Sequence, residues 1–141
     1  SHGAPLRMKI KRLNGYEQVI NINKVKGRKK ENVSSNHKNV RCVLSELFPN
    51  LNIIEELPID GLFLDFYIYE LSIAIEVDGR QHKKFTKFYH NNYVGYLSAK
   101  KNDYKKEQLC KLNNIKLIRI DYKIAKKNDK IKDFIMEKIN E

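Results

Sequence analysis

Four carboxylates interrupt an otherwise apolar stretch, "LDFYIYELSIAIEVD" (64–78): Glu70 at the connection between two candidate strands, and Asp65, Glu76 and Asp78 within or at the end of them. Ten residues separate Asp65 from Glu76, the spacing of two neighbouring strands joined by a tight connection. Glu76 and Asp78 differ by two, which puts them on the same side of a strand. Asp65 is therefore expected to meet two other acids at one sheet edge. Like charges gathered there are unstable unless a proton or a cation intervenes. Mg²⁺ or Mn²⁺ resolves such a site with oxygen ligands and retained waters. Asp65, Glu76 and Asp78 are accordingly candidate metal ligands. Gly79-Arg80-Gln81-His82 follows at once. Gly79 lets the backbone turn sharply or approach a ligand. Gln81 can orient water or a phosphate oxygen, and His82 can serve as general base on water or protonate a leaving oxygen. Singly, Asp-Gly is most often a turn and His82 a surface residue. Their convergence after an apolar strand favours chemistry.

The distribution of charge supports a phosphate-bearing partner. The chain has 141 residues with 28 Lys+Arg against 17 Asp+Glu, a net charge of +11. Such an excess suits a polyanion, most often nucleic acid. A/T-rich coding would also produce Lys and Asn, but it would spread them evenly. Here, eleven bases and two acids run from Arg7 to Arg41. Cys42 to Asp78 holds eight acids and no Lys or Arg, and Arg80 to Lys111 holds nine bases against two acids. An acidic centre between basic flanks is what a cation-dependent phosphodiesterase requires: carboxylates for the metal, bases for the backbone. Lys26, Arg28, Lys29, Lys30, Arg80, Lys83, Lys84 and Lys105 are the candidate DNA-binding residues. Tyr89, Tyr93 and Tyr96 suit stacking on bases or packing over a sheet edge equally well.

The elements that must hold these groups can be read from periodicity. Residues 1–30 are expected to form a basic, loosely attached segment, beginning with a cloning remnant ahead of Met8 and holding a short strand over Tyr16 to Asn23, where Val19, Ile20 and Ile22 are the apolar positions. Residues 31–141 are expected to be the domain. Ser34, Ser35 and Asn36 are good helix N-caps, and Val40, Val43, Leu44 and Leu47 follow at helical spacing. Residues 51–57 read as a strand, 58–61 ("PIDG") as a turn, and 62–69 as a second strand. In that strand Leu62, Leu64, Phe66 and Ile68 are expected on one face and Phe63, Asp65, Tyr67 and Tyr69 on the other. Residues 72–77 form a more uniformly apolar, central strand. A basic helix over 99–113, a strand over 115–120 and an amphipathic helix over 129–140 complete an α/β fold, a mixed sheet flanked by helices. No run of eighteen apolar residues occurs, so no membrane span is expected. Cys42 and Cys110 lie far apart without a CxxC pair, which argues against a disulfide framework. With no apolar signal core at the start, an intracellular location is expected.

The segment "LDFYIYELSIAIEVDGRQH" (64–82), with Asp103 and Lys106 in "KNDYKKEQL" and the strand "IKLIRIDY" (115–122), resembles the PD-(D/E)XK, restriction-endonuclease-like superfamily. The likeness is to its very-short-patch-repair-like branch with phage homing-endonuclease relatives, and covers roughly residues 35–122. It implies the αβββαβ core of that fold and a Mg²⁺- or Mn²⁺-dependent endonuclease acting on DNA. By that resemblance Asp65 and Glu76 occupy the family's acidic positions, His82 its histidine and Asp103 its later acid. Two positions depart from the pattern. The usual lysine, two residues after the second acid, is Asp78 here, so Gln81, His82 or Lys106 must take its part. The first-helix glutamate would fall near His37 or Lys38, whereas Glu46 lies nine residues beyond His37. His37 could stand in, but reads more simply as a cap-region histidine.

A rival from another class is a non-catalytic RNA-binding domain of similar fold, as in apicomplexan organelle proteins with related "IE-x-DG-x-xH" segments. Such a module has no need of Asp65, Glu76, Asp78, His82 and Asp103 together. A third reading is the catalytic part of a larger protein whose targeting domain or partner chain supplies specificity.

Overall fold

The computed structural model describes residues 6–78 and 93–141. Gly79, Arg80, Gln81, His82, Lys83, Lys84 and Tyr89, singled out above, lie outside the described residues. In chain order the elements are β1 (Arg7–Lys11), β2 (Glu17–Asn21), α1 (Ile22–Val25), α2 (Ser35–Leu47), β3 (Ile53–Ile59), β4 (Leu62–Ile68), a 3₁₀ turn (Tyr69–Leu71), β5 (Ile73–Val77), α3 (Tyr93–Leu112), β6 (Lys116–Ile120) and α4 (Asn128–Ile139). The architecture is α/β. A four-stranded mixed sheet has the order β3-β4-β5-β6, with β3, β4 and β5 antiparallel and β6 parallel to β5. The order helix, three strands, helix, strand expected from the sequence is present from α2 to β6. Among the described residues no helix is long and apolar enough to cross a membrane.

Apolar residues cover both sheet faces. On one face, α2 and α4 bring Val40, Val43, Leu44, Ile131 and Ile135 against Phe66, Ile68, Ile75 and Ile118. On the other, Leu109 and Cys110 of α3 pack with Ile54, Leu57, Leu64 and Tyr67. The same cluster takes in Ile10, Ile20 and Ile22. The N-terminal hairpin is thus built into the core rather than loosely attached. Polar contacts lock it further. Asp60 accepts from Arg12 Nε (2.8 Å) and from the Leu13 N–H (3.0 Å), and Gln18 exchanges bonds with Pro58 and Asp60. The sequence concealed this because the buried isoleucines alternate with lysines and other polar residues, which read as a solvated segment.

Local chemistry explains the element ends. Ser34 accepts from the His37 N–H (3.2 Å) and starts α2. Asp60 and Gly61 both have positive φ, 48° and 80°, as a two-residue hairpin turn requires. The expected four-residue turn is shorter because Pro58 and Ile59 remain in β3. That strand is at the sheet edge, where a residue without an N–H is tolerated. Asn113 Nδ2 bonds the Leu109 carbonyl at the end of α3 and the Lys11 carbonyl of β1.

One expectation about β4 fails at a single residue. Phe66 and Ile68 face α2 and α4, as alternation requires, but Leu62 and Leu64 lie in the opposite core beside Tyr67. The break falls at Asp65. Its position is matched on β3, where Glu55 pairs with Phe66 and Leu57 with Leu64, leaving Glu56 opposite Asp65. Glu56 has φ 61°, a conformation costly for a residue with a side chain. Both strands therefore turn over together at Glu56 and Asp65. This keeps their register while sending their outer halves onto the N-terminal hairpin.

Candidate active site

The site lies where β4 and β5 part. Their ladder runs through Ile68↔Ile73, Tyr67↔Ala74 and Phe66↔Ile75. Beyond it, side chains take over from backbone carbonyls. The Asp65 N–H donates to Glu76 Oε2 (2.6 Å), and the Val77 N–H donates to Asp65 Oδ2 (2.8 Å). The overturned backbone at Asp65 opens this gap, and the two carboxylates fill it.

Lys106 reaches in from α3 and donates to Glu76 Oε1 at 2.7 Å. It comes from a helix rather than from the strand position that Asp78 occupies. Burial raises the Asp65 pKa, and the bond from Val77 and the charge of Lys106 only partly offset it, while Glu56 adds to the rise. Glu76, 4% exposed, is pushed up to about 7, first by burial and then by the charge of Asp65, against the pull of Lys106. The Lys106 pKa is also raised: burial would lower it, but Glu76 and Asp65 outweigh that.

Asp78 belongs to a neighbouring group. Arg119 of β6 has its Nη1 3.4 Å from Asp78 Oδ1 and 3.9 Å from Asp103 Oδ1, and its Nη2 donates to the Asp103 carbonyl (2.9 Å). The structure thus joins Asp65, Glu76 and Lys106 in one cluster and Asp78, Asp103 and Arg119 in another alongside. Among the described residues no three His, Cys, Asp or Glu side chains gather as a ready ligand set. The chemistry of the Asp65–Glu76 pair nevertheless fits Mg²⁺, which commonly takes one or two carboxylates and completes its shell with water and phosphate oxygens.

A cleft of about 270 Å³ opens over this end of the sheet, lined by Lys30, Asn32, Val33, Ser34, Asn36, His37, Asp65, Val77 and Asp78. Lys30, at the end of the basic segment, forms one wall with Asn32, Val33 and Ser34 and is pinned to β3. The Lys30 N–H donates to Glu55 Oε1 (3.1 Å), its Nζ lies 3.1 Å from Glu56 Oε1, and its carbonyl accepts from Arg41 Nη2 (2.9 Å). Next to it, Arg28, Lys29 and Lys30, with Glu55 and Glu56, line a hollow whose apolar part is Val25, Pro58 and Phe63, with Phe63 52% exposed. Lys26 bonds Asn52 (3.2 Å), and the charge of Lys105 acts on Asp60, away from the carboxylate pair.

Behind the cleft is a second buried acid. Glu55, 7% exposed, meets His37 Nε2 at 2.7 Å and takes two bonds from Arg41, from Nη2 at 2.6 Å and Nε at 3.0 Å. Burial alone would raise the Glu55 pKa, but Arg41, His37 and the Lys30 N–H bring it below the ordinary value. His37 is 6% exposed and stacked in a tilted arrangement 4.6 Å from the Phe66 ring. It is an interior residue of the site rather than a surface cap. Sequence patterning does not single out Glu55, Glu56, Arg41 or Arg119, and gives His37 a capping place first and only second a stand-in for the first-helix glutamate. A signal exists in two cases: the Glu55-Glu56 doublet in an apolar strand, and Arg119 as the one charge inside "LIRI".

No protein-family model matches the chain, and no solved structure matches it. A similar curated protein is the uncharacterized protein 307L of Invertebrate iridescent virus 6, 32% identical over 64 residues. The matched stretch covers 45% of this chain and 32% of the viral protein, so the chain spans about a third of that relative's length.

Proposed function

We propose that the chain is a metal-dependent endodeoxyribonuclease of the PD-(D/E)XK type, hydrolysing phosphodiester bonds with Mg²⁺ or Mn²⁺. The observation that carries this reading is the Asp65–Glu76 pair, a half-buried and a buried carboxylate with raised pKa values and a lysine 2.7 Å from Glu76, with Asp65 lining a cleft that Lys30 also lines. Asp65 and Glu76 would hold the ion, which supplies Lewis-acid polarisation of the scissile phosphate and a more acidic bound water. Lys106 holds Glu76 in place and adds positive charge where a pentavalent phosphate would build up negative charge. Arg119 anchors Asp103 of α3 and Asp78 at the end of β5, which keeps Lys106 aimed at the pair. Arg28 and Lys29 would contact backbone phosphates, with Phe63 beside them as a face for a base.

The test is incubation with supercoiled plasmid, with and without Mg²⁺ or Mn²⁺. Nicked or linear product only with metal supports the reading, and its loss in Asp65→Asn assigns the site. A second reading, a nucleic-acid (RNA)-binding domain without catalysis, draws on the pairing of Asp78 with Arg119 and on the Phe63 hollow with its basic rim. Metal titration by calorimetry separates the two, because a pure binding module has no divalent-ion site that depends on Asp65 and Glu76.

A further inference from the structure

We propose that His37, oriented by Glu55, is a proton-transfer group of the cleft, acting on the water that attacks the phosphate. The inference rests on the nuclease reading and deepens it, by giving a defined chemical role to a residue of α2 that reads most simply in the sequence as part of a helix cap.

The geometry is that of an oriented imidazole. Glu55 is held by three N–H groups besides the ring: two from Arg41 and one from the Lys30 backbone. A carboxylate so engaged is ionised and has no proton to give. The 2.7 Å contact is therefore a hydrogen bond from His37 Nε2–H to Glu55 Oε1. In the neutral ring this leaves Nδ1 as the basic nitrogen. The same division of labour, a carboxylate fixing the tautomer so that the far nitrogen can accept a proton, underlies oriented histidines in hydrolases generally. Phe66 packs against the ring and restricts its rotation. His37 lines the cleft together with Asp65 and Asp78, so the group is on the substrate side of the sheet rather than sealed behind it.

The charged groups around the ring come from every neighbouring element: Arg41 from α2 itself, Glu55 from β3, Asp65 from β4, Asp78 from the end of β5 and Lys30 from the preceding loop. Hydrolysis makes one P–O bond to water and breaks one P–O bond to the leaving sugar oxygen. The attacking water loses its proton to His37 Nδ1. The departing oxygen takes a proton from solvent, and the imidazolium returns its own to solvent, so no redox partner is needed.

The experiment uses the full chain, a duplex oligonucleotide and Mn²⁺. His37→Ala should slow cleavage by about 10² to 10⁴, the usual worth of a positioned acid–base group, with DNA affinity held within about threefold. Added imidazole should restore part of the missing rate, which a purely structural role would not allow. Glu55→Gln should lose less rate than His37→Ala. Cleavage by His37→Ala within about threefold of wild type, or no response to imidazole, overturns the proposal and leaves the nuclease reading intact. Absence of metal-dependent cleavage by the wild type overturns both. If His37→Ala fails to fold, nitrogen NMR of the wild-type ring decides. Seating a phosphorothioate duplex with Ca²⁺ should shift the Nδ1 resonance, and an unmoved resonance overturns the assignment.

Discussion

Glu55 and Glu76 are both buried, at 7% and 4% exposure, yet they sit at opposite electrostatic extremes. Glu55 faces two donors from Arg41, one from His37 and one from the Lys30 backbone, and its pKa lies below the ordinary 4.5. Glu76 has Lys106 and one backbone N–H but shares its space with Asp65, and its pKa rises to about 7. Burial is common to both, so burial does not distinguish them. The number of compensating donors and the nearest like charge do. A saturated carboxylate holds a fold together and orients a neighbour. An undersaturated pair stores unfavourable energy that a proton or a divalent cation releases.

The strongest way to break this comparison is through activity. Asp65→Asn and Glu76→Gln should each bring metal-dependent cleavage to background while DNA binding persists or tightens, because a negative charge is removed from the cleft. Nicking of plasmid at the wild-type rate by either variant would contradict the role given to the pair. Stability should move the other way. Glu55→Ala strands Arg41 and His37 and should cost about 3 kcal/mol, the scale for removing one partner of a buried ion pair. Glu76→Gln removes an unfavourable charge and should cost far less or stabilise. Urea denaturation of the two variants without metal measures this, and a reversed order would dissolve the contrast.

The pH dependence of stability offers a finer test. Glu55, with its folded pKa depressed below 4.5, contributes stability that is present above that value and lost as pH falls through the folded one. Glu76 is the mirror image. Its folded pKa of about 7 means that the stability it contributes is full below 4.5 and lost as pH rises toward 7. Metal-free protein should therefore lose stability at both ends of that window. Glu76→Gln should shrink the upper loss to the part that Asp65 contributes, and Glu55→Gln should abolish only the lower. Thermal melts across pH 3 to 8, taken in EDTA, would show a single unchanged curve if neither carboxylate behaves so.

The smallest effect concerns the basic residues beside the cleft. Replacing Arg28 and Lys29 with alanine should flatten the slope of log affinity against log salt by roughly 0.9 for each backbone phosphate no longer neutralised, without touching the carboxylate pair. An unchanged slope would confine phosphate binding to other bases. Deleting residues 1–30 is a poorer test, because it also removes Ile10, Ile20 and Ile22 from the core.

Much of the frame was legible. The Ser34 cap, the helical spacing of Val40, Val43 and Leu44, and the Asp60-Gly61 turn are local signals. They depend on neighbours a few residues away, and the structure places them close to where periodicity does. Asp65 and Glu76 also meet as expected, because a ten-residue spacing across a tight connection leaves antiparallel strands little freedom. Lys106, thirty residues on from Glu76, was legible only as one of three candidates for the missing lysine's part. Illegible were Arg119 between Asp78 and Asp103, and Arg41 with His37 onto Glu55.

The sequence by itself determined the α/β class, the order of elements and the acid-rich strand pair, since hydrophobic period and turn chemistry act over short distances along the chain. Only the tertiary structure decided the charge state of each acid. Strict alternation would have carried one face straight through Asp65. Instead β3 and β4 roll over together at Glu56 and Asp65, so that Leu57, Ile59, Leu62 and Leu64 can bury against the N-terminal hairpin. That long-range packing parts β4 from β5 and brings Glu76 against the Asp65 N–H and Asp65 against the Val77 N–H. Glu55, one residue before the break, is left facing α2 and its three cationic or N–H-bearing neighbours. A carboxylate's pKa depends on the donors and charges within a few ångströms of it, and those are set by how distant segments pack, which no local pattern records.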